Sequence, residues 1–276
     1  GIPAEHRVQF SVQRAAGQVA AIFIAEDLKY VDQIHQYYRY FYEHNIPVDM
    51  VSAEDTFAGY KVVAAPVLYM VKEGMKEALT AFVKQGGILI LTYMSGIVDQ
   101  SDNVYLGGYP GPLRELAGVW VEEIDALFPD QKNQMIFADG REAECGLVCD
   151  IMHLEGAEAL AVYGSDFYKD RPVVTRNAYG EGSTYYIGSD PSEEGIEMIL
   201  DKVREEAGIS GASGEKARLE IVSRWNGEQE YGFLMNFTDQ VLPVPERFAG
   251  KEDLLTEKAV ESGETMKKYD VKIVKM

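Results

Sequence analysis

The stretch that decides the fold is Ile88-Leu89-Ile90-Leu91-Thr92-Tyr93-Met94-Ser95-Gly96-Ile97-Val98-Asp99, running on to Gly107-Gly108-Tyr109-Pro110-Gly111-Pro112-Leu113-Arg114-Glu115-Leu116. A short continuous apolar run reads as a strand buried on both faces, as in a parallel sheet. It ends in a long polar, glycine-rich loop that leads into a short helix. In open α/β sheets ligands gather beyond the carboxyl ends of strands, so this loop is the first place to look for function. It holds no histidine, no cysteine and no phosphate-cradling glycine pattern. Its glycines, prolines and single Arg114 suit shape recognition better than catalysis.

Working outward, residues 1–18 read as a connector and Val19 to Ile24 as the first buried strand. From Asp27 to Asn45, Leu28, Val31, Ile34, Tyr38, Phe41 and Tyr42 recur at steps of three or four, the period of an amphipathic helix stopped by Asn45-Ile46-Pro47. Val48 to Val51 and Val62 to Leu68 are the next strands, and Lys72 to Gln85 is a helix ended by Gly86-Gly87. Alternating strands and helices imply right-handed crossovers and a mostly parallel sheet with flanking helices. After the loop the pattern turns β-rich, over Gly118 to Ile124, Met135 to Ala138, Leu147 to Met152, Ala159 to Tyr163, Val173 to Ala178 and Thr184 to Ile187. A hairpin turn is expected at Tyr179-Gly180-Glu181-Gly182, and a last helix over Asp190 to Glu206. The α/β domain thus covers 19–207, a glycine- and serine-rich linker 208–214, and a small antiparallel β domain 215–276. That last piece opens on a hairpin around Asn226-Gly227-Glu228-Gln229 and, being small, is expected to lean on its neighbour.

The bulk numbers exclude several classes. A net charge of -19, from 26 basic and 45 acidic residues, argues against nucleic acid or an anionic membrane as partner. No apolar run reaches the length of a membrane span. Gly1 without a preceding methionine is expected of a processed or excised segment. The two cysteines, Cys145 and Cys149, lack the second half of a zinc site, and the four histidines are scattered, so no metal or cofactor is expected. A structural or surface role is expected for both thiols.

Ser95 follows a strand and precedes a glycine, but Tyr-Met-Ser-Gly lacks the first glycine of a nucleophile elbow. His153, the only histidine downstream, stands in Ile-Met-His-Leu, a packed or edge setting, so no triad is expected. Six aromatics between Tyr30 and Tyr42 are too many for one buried stripe, which leaves a core, a subunit interface or a sugar-stacking platform open.

With these segments in view, the chain resembles the family 42 glycoside hydrolases, the bacterial β-galactosidases, over the region that follows their catalytic barrel. The resemblance is carried by Tyr60-Lys61-Val62-Val63-Ala64-Ala65-Pro66, by Pro66-Val67-Leu68-Tyr69-Met70 and by Gly86-Gly87. Ser95-Gly96-Ile97-Val98-Asp99, Gly108-Tyr109-Pro110-Gly111, Leu113-Arg114-Glu115-Leu116 and Tyr179-Gly180-Glu181-Gly182 add to it. Asn236-Phe237-Thr238 is expected in a strand of the C-terminal domain.

The resemblance implies a flavodoxin-like trimerisation domain, akin to class I glutamine amidotransferases, followed by a small all-β domain. In amidotransferases of that architecture the catalytic cysteine would stand at Met94 or Ser95. It also implies a cytoplasmic, trimeric parent enzyme that removes terminal β-D-galactose with retention, using two glutamates on the barrel. No residue here inherits either glutamate. The chain is therefore expected to be a scaffold, with Asp99 and Arg114 pinning the loop, Tyr109 and Pro110 offering contact surface, and Ser95 at its root. One departure is Ala25-Glu26-Asp27-Leu28-Lys29, where family members tend to be tryptophan-rich. The alternative is a stand-alone carbohydrate-binding or divergent hydrolase-like protein.

Overall fold

The computed structural model describes residues 8–12 (backbone only), 30–52, 56–211 and 218–276. An eleven-stranded mixed sheet and a separate five-stranded antiparallel sheet divide the described residues between an α/β part and a small β part. In the large sheet β1 (Val8–Val12), β2 (Val48–Ser52), β3 (Val62–Ala65), β4 (Ile88–Thr92) and β10 (Gly182–Ile187) run parallel in the order β10-β4-β3-β1-β2. Every residue of β3 and β4 is buried, which is why both read as unbroken apolar runs.

The first strand is a correction. Val8–Val12 lies inside the expected connector and pairs with both β2 and β3, while the expected strand at Val19 to Ile24 falls outside the described residues, as does the 212–217 part of the expected linker. The sheet is also mixed rather than mostly parallel. Its β-rich half continues the same sheet through β9 (Pro172–Tyr179), antiparallel to β10 across the Gly180-Glu181 turn. Beyond β9 lie β8 (Glu158–Tyr163), β6 (Asn133–Phe137), β7 (Glu142–Leu154) and the short β11 (Ser189–Pro191), with β5 (Val119–Ala126) also paired to β7.

Helices cover both faces. On one side α1 (Tyr30–Glu43) and α4 (Glu193–Glu206) bury Ile34, Tyr37, Phe41, Ile196, Ile199 and Leu200 against β3, β4 and the antiparallel strands. On the other, α2 (Met75–Lys84) buries Leu79, Phe82 and Val83. α4 begins later than the periodicity suggests because Ser189–Pro191 pairs with β7. Ser192 then caps the helix by accepting from the Gly195 amide at 3.3 Å. The crowded aromatics of α1 also sort themselves. Tyr37, Tyr40 and Phe41 are buried, whereas Tyr38 stacks between His35 and Tyr42 at the surface.

The small domain pairs β12 (Glu220–Trp225), β13 (Glu230–Met235) and β14 (Val271–Lys275) around Leu219, Ile221, Leu234, Phe248, Met266 and Val274. Asn236-Phe237-Thr238 sits just past β13 rather than in it. The Asn236 amide closes that turn, donating to the Gln240 and Met266 carbonyls and accepting from Thr238. Among the described residues, Asn45 carries two of the side-chain bonds by which the small domain leans on the α/β part. Asn45, in the left-handed region (φ 54) after α1, donates to the Leu219 carbonyl at 3.0 Å and accepts from the Ile221 amide at 2.9 Å. Tyr42 adds a bond to Glu220 at 2.7 Å.

Candidate functional site

The loop after β4 is built by reversing the chain at a strand end. Met94 takes φ 57, beside Val67 at φ 49 at the end of β3. The Thr92 hydroxyl accepts from the Val67 amide at 2.7 Å, joining the two strand ends. Ser95 is fully buried and donates its hydroxyl to the Thr92 carbonyl at 2.6 Å. A serine so committed is no nucleophile. His153 is occupied elsewhere, 2.7 Å from Glu122.

Beyond Ser95 the chain runs beside 68–71, the Gly96 amide bonding the Leu68 carbonyl and the Val71 amide the Val98 carbonyl. It then folds back as a Val98–Val104 bridge whose turn Asp99 closes. The Asp99 carboxylate accepts from the Ser101 and Asn103 amides at 2.8 and 3.0 Å. The Asn103 amide first, then its side chain, holds that carboxyl below its ordinary range. The return limb crosses at Gly96, where a Cβ would stand 2.3 Å from the Pro110 carbonyl oxygen. No other residue fits there. The Tyr109-Pro110 peptide is cis.

Arg114, opening the short helix α3 (Arg114–Ala117), fastens the far end. Its Nε donates to Glu155 Oε2 at 2.5 Å, its Nη2 to the other carboxylate oxygen, and its Nη1 to the Gly107 carbonyl at 3.0 Å. The same hydrogen bonds hold Glu155 below and Arg114 above their ordinary ranges. The guanidinium lies 5.3 Å from the Trp120 ring centre, and Trp120 stacks on His153 at 4.9 Å. Arg114, Trp120, His153 and Glu122 thus form one surface ladder. The tip held between Asp99 and Arg114 presents Val104 (55% exposed) and Leu106 (96% exposed). Pro110, expected to offer contact surface, is buried in this chain, and Tyr109 is half-buried. An open cleft of about 320 Å³ flanks the loop, lined in part by Lys72, Glu77, Asp99, Gln100 and Tyr105.

Beneath the loop lies a polar cluster that the sequence did not signal. Asp150 is fully buried and accepts from the Tyr186 hydroxyl at 2.7 Å. Burial pushes its carboxyl up to about 8, against the pull of Tyr186. Its Oδ1 and the hydroxyls of Tyr93 and Tyr37 have no hydrogen-bond partner among the described residues. The two cysteines are buried as well, so neither has a surface role. Cys149 Sγ lies 3.7 Å from Ser189 Oγ, at a bulge where Leu147 takes φ 63.

A mixed α/β sheet with a long loop after β4 and a separate small β domain is the arrangement to be placed. The comparisons give the family. Residues 10–210 match the family model of the β-galactosidase trimerisation domain, and 218–276 that of the β-galactosidase C-terminal domain. The chain belongs to this family. It is 43% identical over 254 residues to the β-galactosidase LacA of Lactobacillus acidophilus, covering 91% of this chain and 38% of that protein. Against the β-galactosidase BgaA of a Planococcus species it is 41% identical, covering 90% of this chain and 37% of the relative. The solved β-galactosidase of Bacillus circulans sp. alkalophilus superposes with a TM-score of 0.88 at 36% identity, covering 98% of this chain and 41% of that one. The chain therefore spans about two fifths of the length of the proteins it matches. It corresponds to the non-catalytic C-terminal region and does not include the catalytic barrel. Among the described residues no helix is long and apolar enough to cross a membrane.

Proposed function

We propose that this chain assembles and braces a trimeric β-galactosidase whose barrel removes terminal β-D-galactose with retention. The α/β part is read as flavodoxin-like, its loop after β4 serving as the contact element between subunits or against the barrel, and the parent as cytoplasmic. The observation that carries this reading is the pair of aliphatic side chains, Val104 and Leu106, held out into solvent by a loop fastened at both ends by Asp99 and Arg114. Burying Leu106 against a partner would contribute about 1.5–3 kcal/mol. The full-length enzyme carrying Asp99→Ala and Arg114→Ala together is expected to lose subunit mass by light scattering and to hydrolyse galactosides more slowly. Unchanged mass together with unchanged hydrolysis would remove the basis for the proposal.

A further inference from the structure

We infer that His44, Glu197 and Asp201 form a zinc site that ties the end of α1 to α4. His44 immediately follows α1 and is 4% exposed. Glu197 and Asp201 lie one turn apart on α4, on the face turned toward α1. One ligand atom from each of the three residues lies within 4.8 Å of the other two.

The hydrogen bonding of His44 sets the argument. Its Nδ1 is 2.7 Å from the Tyr40 carbonyl oxygen, and a carbonyl can only accept, so Nδ1 carries the proton. Nε2 faces a carboxylate oxygen of Glu197 3.6 Å away. A separation of 3.6 Å is too long for a direct hydrogen bond. It is close to the separation of two ligands on a tetrahedral zinc, about 3.4 Å for metal–ligand bonds of about 2.0–2.1 Å. Histidine ligands on zinc characteristically donate their other ring nitrogen to a carbonyl or carboxylate, which is the arrangement Tyr40 supplies. Tyr40 also donates its hydroxyl to Asp201 at 2.6 Å, so one residue orients two of the three ligands.

The surroundings favour a dication. Glu43 and Glu193 gather on Glu197 within the same 4.8 Å limit, giving four carboxylates with Asp201. Among the described residues, cations facing them include Arg39, 3.9 Å from Glu193, and Arg204, 3.2 Å from Asp201. A cavity of about 10 Å³, bounded by Gln36, Tyr40, Glu43 and Glu197 among others, adjoins the cluster and has room for about one water. One imidazole with two carboxylates is a ligand set that suits zinc, with water completing a four-coordinate shell on the exposed Asp201 side. Because His44 adjoins Asn45, the ion would brace the helix end that holds the C-terminal domain.

The test is calorimetric titration of the chelator-treated 276-residue chain with zinc chloride, paired with thermal unfolding with and without zinc. One saturable site per chain, with Kd of micromolar or tighter and a zinc-dependent rise in Tm, is expected. Glu197→Gln with Asp201→Asn, at half-exposed and exposed positions that preserve the Tyr40 bond, should weaken binding at least 30-fold while leaving circular dichroism unchanged. His44→Gln should do the same. Cys145→Ser with Cys149→Ser should leave binding intact. Absence of a saturable site in the wild type, binding that survives the double carboxamide variant, or binding lost with the cysteines would each overturn the assignment.

Discussion

Replacing Asn45 by alanine is expected to uncouple the C-terminal domain from the α/β part. The side chain is buried and both of its polar atoms bond backbone groups of the other domain, the Leu219 carbonyl and the Ile221 amide. Truncation leaves both groups without a partner, and a buried unsatisfied group costs about 1–3 kcal/mol. Asn45 also sits at φ 54, a region that asparagine tolerates better than alanine, adding about 1 kcal/mol. The sum is about 3–7 kcal/mol, with Tyr42 to Glu220 a further side-chain tie between these segments. The wild type should unfold in one calorimetric transition. Asn45→Ala should split off an earlier one, lower by on the order of 10 °C, belonging to residues 218–276. Limited proteolysis should then release that domain below the main transition. Asn45→Gly restores the backbone freedom but not the bonds, so it should recover only the conformational part. A single transition within about 1 °C of wild type in the alanine variant would refute the reasoning.

Three further outcomes follow from single contacts. Gly96→Ala places a Cβ against backbone at the crossing with Pro110, and at φ 67 as well. A loss of about 2–4 kcal/mol is expected in denaturant unfolding, against about 1 kcal/mol for Gly107→Ala, where the space is open. Burial raises the Glu206 carboxyl, but hydrogen bonds from Arg176, Ser183 and Tyr185 outweigh it and hold it at about 2. The stabilisation is present above the ordinary carboxyl range and lost as pH falls through about 2. Wild type should exceed Glu206→Gln by about 1–2 kcal/mol after screening at neutral pH, and equal stabilities at pH 7 would count against it. Cys145 and Cys149 are buried, so a thiol reagent should find neither in the native chain and both after denaturation. Fast native labelling would contradict this burial.

The sequence was legible where the signal is local. The period of α1, the buried runs of β3 and β4 and the hairpin at Gly180-Glu181 all follow from short-range pattern. Asp99 could be read as a turn residue because its partners, Ser101 and Asn103, are two and four residues on. β1 could not be read. Val8-Gln9-Phe10-Ser11-Val12 alternates weakly among polar neighbours, and the continuous run at Val19 to Ile24 is a stronger signal for a buried parallel strand. β7 was foreshortened because Glu142 and Glu144 disguise its start and Leu147 breaks its alternation. At the loop, the partner of Arg114 is Glu155, 41 residues away, and no spacing rule connects them. The pairing of Trp120 with His153 likewise needs the β5–β7 register. That Leu106 points outward follows only once Tyr105 is fixed by its bond to the Val71 carbonyl.

The strain at the root of the loop explains how an enzyme-like turn can serve without chemistry. A left-handed β-branched Val67 and a left-handed Met94, at the ends of neighbouring parallel strands, cost about 1–2 kcal/mol each. A nucleophile elbow uses such a turn to lift a side chain into a pocket. Here the Met94 side chain packs with Val67, Tyr93 and Val148. The Thr92 hydroxyl accepts from the Val67 amide at the neighbouring strand end, and the Ser95 hydroxyl donates to the Thr92 carbonyl. Each of those bonds offsets about 1 kcal/mol of the strain, so the two hydroxyls that could have done chemistry are needed to keep the turn. The turn in exchange fixes the direction in which residues 95–98 leave the sheet, along 68–71. That direction places the Val104–Leu106 tip outward, so the strained backbone sets where these two side chains stand.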